Sequence, residues 1–143
     1  MSTREDALRS WISRARDHAL FVYASAFAVA TLCHLLDIAR GGWLPYTKYA
    51  LALNVFWTSL TFLDPLAIAL LRYRRRAGLG LALLIITVDV VVNLTVGVGE
   101  FVHSGRFTFW GLATQIPVGV FMWWTAPRVW ADAPEGAYPS RDG

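Results

Sequence analysis

Residues 78–99, GLGLALLIITVDVVVNLTVGVG, decide the fold. Apart from two threonines, the polar side chains in this run are Asp89 and Asn93, and the apolar residues do not alternate with polar ones. At ~1.5 Å per residue, such a run spans the ~30 Å hydrocarbon core of a bilayer as a helix. It is flanked by the basic run Arg72-Tyr73-Arg74-Arg75-Arg76 on one side and by Glu100 on the other.

Three more stretches of the same character, 19–39, 49–71 and 107–126, lie on either side of it, joined by connections of about nine, six and seven residues. Lipid offers no partners to backbone N–H and C=O groups, so unalternating apolar runs must be helical. Short connections make consecutive helices antiparallel neighbours. The expectation is an all-α integral membrane protein, an antiparallel four-helix transmembrane bundle occupying 19–126. Residues 1–18 carry the capping-box pattern Ser2-Thr3-Arg4-Glu5 and place Leu8, Trp11, Ile12 and Ala15 on one face. They predict a short N-terminal interfacial helix. Residues 127–143, rich in Ala, Pro, Gly and Asp, predict a disordered cytoplasmic tail.

Composition agrees. Apolar residues make up 56% of the 143, charged residues only 16%, and the mean hydropathy is +0.45, whereas a soluble domain carries about a quarter charged residues. No room is left for a separate soluble catalytic domain. The net charge of +3 does not describe a nucleic-acid reader, because the bases sit at the ends of apolar spans. Arg4, Arg9, Arg14, Arg16, Arg72, Arg74, Arg75, Arg76, Arg128 and Arg141 make ten on one side, against Arg40, Lys48 and Arg106, three, on the other. The bias predicts a multi-pass protein of the cell membrane with both termini cytoplasmic. It also sets Arg72, Arg74, Arg75 and Arg76 against anionic lipid headgroups. Trp43, Tyr46 and Tyr49 read as interfacial anchors. A single cysteine, Cys33, excludes a disulfide framework, CxxC chemistry and thiolate zinc sites. His18, His34 and His103 are too scattered for a metal site, and no nucleotide fingerprint occurs, so no cofactor is expected.

Function should reside in the polar residues that the spans nonetheless carry. An ionisable side chain at mid-membrane costs about 3 kcal/mol on insertion scales, so such residues face the bundle interior and mark working sites. Asn54, Thr58, Thr61 and Asp64, with Trp57, fall within one arc of the second span, and Asp89, Asn93 and Glu100 line one side of the third. The first span adds His34 and Asp37 near its outer end, and the fourth adds Gln115, with Trp110 above it. Pro65 and Pro117 kink the second and fourth spans. No Lys or Arg lies at hydrocarbon depth, so Asp64 and Asp89 have no cation to pair with. The two are read as a proton-sharing acid and base.

An acidic, aromatic-lined cavity of this kind suits a lipophilic small molecule, with isomerase-like proton transfer between Asp64 and Asp89 as its possible chemistry. At the level of span count and intramembrane acids, the arrangement resembles the sterol-isomerase and sigma-2-receptor group of four- or five-helix membrane proteins. That resemblance is of architecture and carries no site residues over. Two other readings stand beside it. The polar stripes could bind a membrane-protein partner, making the chain an accessory or scaffold subunit. Small four-helix multidrug exporters are also similar in size, and a proton-coupled carrier of this kind would work as a homodimer. The essential acid of those exporters is a first-helix glutamate, where this chain has only His34 and Asp37.

Overall fold

From Arg4 to Gly41 the chain contains no proline and no glycine before Gly41 itself. In a computed structural model, which describes residues 3–106 and 110–131, this segment is one unbroken helix, α1 (Arg4–Gly41). The interfacial helix expected over the first 18 residues is therefore continuous with the first span, since nothing between them disrupts the i to i−4 ladder. Its cap is also one residue later than expected. The Thr3 hydroxyl accepts from the Asp6 N–H at 3.3 Å, and the Asp6 carboxylate accepts from the Thr3 N–H at 3.0 Å. The Thr3 hydroxyl also donates to that carboxylate at 2.8 Å, and this bond first, then the one from the Thr3 N–H, holds the exposed Asp6 carboxyl below its ordinary range. The helix stops at Gly42, where φ is 81° and the N–H donates to the Ile38 carbonyl.

Helix α2 (Leu51–Tyr73) follows the connection 42–50, and α3 (Arg75–Ser104) follows after Arg74 alone. A six-residue connection was expected here, but the arginines are good helix formers and both helices run into the basic segment until they collide. Gly78 permits that corner. A Cβ at this position would lie 2.2 Å from the Leu71 nitrogen and 2.6 Å from its Cα, contacts with backbone that cannot move aside. Gly105, with φ 68°, ends α3.

Helix α4 (Trp110–Ala131) continues past the expected end at 126, through Pro127. The Thr125 hydroxyl and the Arg128 guanidinium bond back to the carbonyls of Phe121 and Trp124, serving this irregular last turn. The start of the fourth span at 107 and the tail from 132 onward lie outside the described residues. Helices α1, α2 and α3 are each long and apolar enough to cross a membrane. Helix α4 falls short of the same apolarity, because Pro117, Gln115 and its tryptophans dilute the aliphatic residues.

Each helix packs on the next, and α4 also touches α1. The polarity is inverted relative to a water-soluble bundle. Asn54, Thr58, Thr61, Asp64 and Asp89 are buried, while Leu84, Val91, Leu94 and Val98 of α3 and Phe62 and Leu66 of α2 face outward. The core also contains Tyr23, Phe27, Trp57, Leu60, Leu79, Ile85, Ile86 and Met122.

Candidate functional site

Tyr23 fixes how α1 meets α4. Fully buried, it donates its hydroxyl to the Met122 carbonyl at 3.0 Å, lies 2.6 Å from the Thr125 hydroxyl, and packs edge-on against Phe121. Further along, the two helices leave a cavity of about 680 Å³ between them, walled by residues of all four helices. Its apolar wall includes Phe21, Phe27, Leu60, Ile85, Ile86 and Val118, and Asp64 and Asp89 both line it. Phe21 and Val29 of α1 and Thr114 of α4 belong at once to this wall and to the exposed outer surface, so the cavity opens sideways between α1 and α4.

The two acids differ in their surroundings. Asp89 is held in one orientation: its Oδ1 accepts from Asn93 Nδ2 at 2.8 Å and its Oδ2 from Gln115 Nε2 at 2.6 Å. Asn93 donates further to the Gln115 amide oxygen at 3.2 Å, tying α3 to α4. Asp64 is only 1% exposed, and among the described residues neither carboxylate oxygen has a hydrogen-bond partner. The Thr61 hydroxyl, one turn earlier, is likewise buried without a partner. An unsatisfied buried polar group costs about 1–3 kcal/mol, so native interiors rarely keep one without a reason.

A second chamber of about 350 Å³ adjoins the first and shares His34, Asp89, Gly111 and Gln115 with it. Its wall is polar and aromatic. Tyr46 donates to Asp37 at 2.9 Å while its oxygen lies 2.9 Å from His34 Nδ1, so His34 is the donor in that second bond. Burial, reinforced by the Asp37 carboxylate, holds the Tyr46 hydroxyl well above the ordinary phenol range. Tyr49 donates to Glu100 at 3.0 Å, and Lys48 reaches the same carboxylate at 3.4 Å. The Tyr49 hydroxyl first, then Glu100, keep the exposed Lys48 ammonium above its usual value. Trp57 sits between the two tyrosine rings, 5.3 Å from Tyr46 and 4.9 Å from Tyr49.

Of the residues singled out in the sequence, Asp89 and Gln115, with His34, line both chambers; Asp64 lines the inner one; and Asp37, Trp57, Asn93 and Glu100 line the outer. Asn54, Thr58 and Thr61 line neither. Asn54 instead clamps the connection over the bundle, accepting from the Tyr46 N–H and donating to the Leu44 carbonyl, both at 3.1 Å, and Thr58 reaches its amide oxygen. Trp110 opens α4, but its side chain lies outside the described residues. Tyr46 and Tyr49, read as interfacial anchors, belong to the chamber, because Asn54 folds their connection inward. A Cβ at Gly111 would meet nothing within 4 Å, whereas one at Gly119 would touch Ile86 at 3.4 Å. Cys33 and Ser25 are further wall residues that nothing in the sequence placed at a site.

Comparison with protein-family models, with curated proteins and with solved structures finds no match to this chain. The geometry therefore has to speak for itself. It offers a sideways-opening apolar cavity with one acid fixed by amides and one acid that lacks any donor.

Proposed function

We propose that this is a membrane-embedded binding protein whose inner cavity takes a lipophilic small molecule from the surrounding hydrocarbon. In this reading all four helices cross the bilayer in alternating directions, with both termini on the basic, cytoplasmic side. The outward Leu, Val and Phe side chains of α2 and α3 and the ten-to-three division of basic residues support that placement. Asp64 carries the functional reading: a buried carboxylate without a donor, in the wall of a cavity that opens toward lipid, is accounted for by a ligand that brings the missing donor. The polar stripe that a scaffold role would present to a partner is instead buried within the chain, which favours a ligand over a partner.

Photolabelling tests this. A lipophilic amine bearing a diazirine, incorporated into nanodiscs with the protein, should place its adducts on cavity-wall positions such as Ser25, Ala30, Ile86 and Val118. Adducts spread evenly over outward positions such as Leu84, Val91 and Val120 would reject the reading.

A further inference from the structure

We infer that the inner cavity selects protonated amines retaining at least one N–H, and discriminates against quaternary ammonium compounds of the same apolar body. This inference deepens the ligand reading above and rests on it.

Among the described residues both Asp64 oxygens lack a donor, and no Lys or Arg lines the cavity to supply one. The other titratable groups on its wall are Cys33 and His34 of α1 and Asp89 of α3. His34 is engaged with Tyr46, and each Asp89 oxygen already accepts an amide N–H. The acceptors left without a donor therefore belong to Asp64; it is 1% exposed, so a ligand reaches them as the neighbouring wall side chains move aside. A primary or protonated tertiary ammonium brings both a positive charge and a hydrogen, and a charge-assisted hydrogen bond is the strongest contact such a wall can offer. A trimethylammonium group brings the charge alone. Its methyls hold that charge away from the carboxylate and leave both oxygens without a donor. The Phe21 and Phe27 rings attract either kind of cation and so do not discriminate between them.

The chain's one cysteine provides the readout, because Cys33 lies in the cavity wall and is free and exposed. The full-length protein in nanodiscs is alkylated with N-ethylmaleimide, and adduct formation is followed by mass spectrometry. The probes are dodecylamine, N,N-dimethyldodecylamine and dodecyltrimethylammonium, compared at equal bilayer concentration. The first two should protect Cys33 at concentrations about 10- to 100-fold below the third. In Asp64→Asn that preference should collapse to within a few-fold, with weak protection by all three. Equal protection by the trimethyl compound in the unsubstituted protein would overturn the inference while leaving a ligand cavity in place. Absence of protection by any probe would instead reject the cavity reading itself. The series needs no substitution, so poor folding of the Asp64 variant would not prevent a decision.

Discussion

Leucine has the shape of aspartate with two methyls in place of two oxygens, which makes Asp64→Leu a direct measure of what the unpartnered acid costs. Two buried oxygens without donors are removed, and two buried methyls are gained in a wall of Leu60, Ile85 and Ile86. Relief of even one unsatisfied group is worth about 1–3 kcal/mol, and each buried methyl adds up to ~0.8 kcal/mol. Asp64→Leu should therefore raise the unfolding free energy by about 2 kcal/mol or more. Asp89→Leu is the opposite case. It strips the acceptor from Asn93 Nδ2 and Gln115 Nε2 and leaves the half-buried Gln115 donor unpaired, so it should cost about 1–2 kcal/mol. The assay is unfolding in mixed detergent micelles with increasing dodecyl sulfate, followed by tryptophan fluorescence, with midpoint and slope compared among the three proteins. If Asp64→Leu were destabilised by 1 kcal/mol or more, Asp64 would have a structural partner inside the protein, and the argument from its missing donor would fail.

Other consequences follow from single contacts. Gly78→Ala must push the α2–α3 corner apart from 2.2 Å to at least 3.4 Å against backbone and should cost about 3 kcal/mol or more in the same assay, whereas Gly80→Ala, with nothing within 4 Å, should be neutral or gain up to ~1 kcal/mol. Tyr23→Phe removes the hydroxyl that ties α1 to Met122 and Thr125, and should cost about 1 kcal/mol and speed alkylation of Cys33; an unchanged rate would show that this tie does not limit access to the cavity. Because the folded protein holds the Tyr46 proton more tightly than the unfolded chain does, the contribution of Tyr46 is complete below the ordinary phenol range, about pH 10, and is lost as pH rises through its higher folded value. Among the phenol absorbance steps above pH 10, the last should therefore vanish in Tyr46→Phe.

Much of this was legible in residues 78–99 and their neighbours. Apolar runs of that length form helices whatever their tertiary partners, and on the proposed membrane placement the burial of Asp64 and Asp89 follows from the cost of exposing an acid to hydrocarbon. The element ends were less legible. The interfacial helix merges into α1 and the α2–α3 connection shrinks to Arg74, because helix propensity carries on wherever no glycine or proline stops it. The polar stripe of α2 was read as one surface, yet its members do different work. Asn54 is consumed by the 42–50 connection, while Asp64, ten residues further, has no partner.

Run length and composition were enough for a helical chain with buried polar residues, since on the proposed membrane placement a polar group in hydrocarbon is costly wherever it lies along a span. The tertiary structure alone decided that Asp89 is saturated by Asn93 and Gln115, that Tyr46 and Tyr49 wall a chamber, and that α1 and α4 part beyond Tyr23. Which donor meets which acceptor depends on distances of a few ångströms between different helices, and a one-dimensional pattern contains no record of those distances.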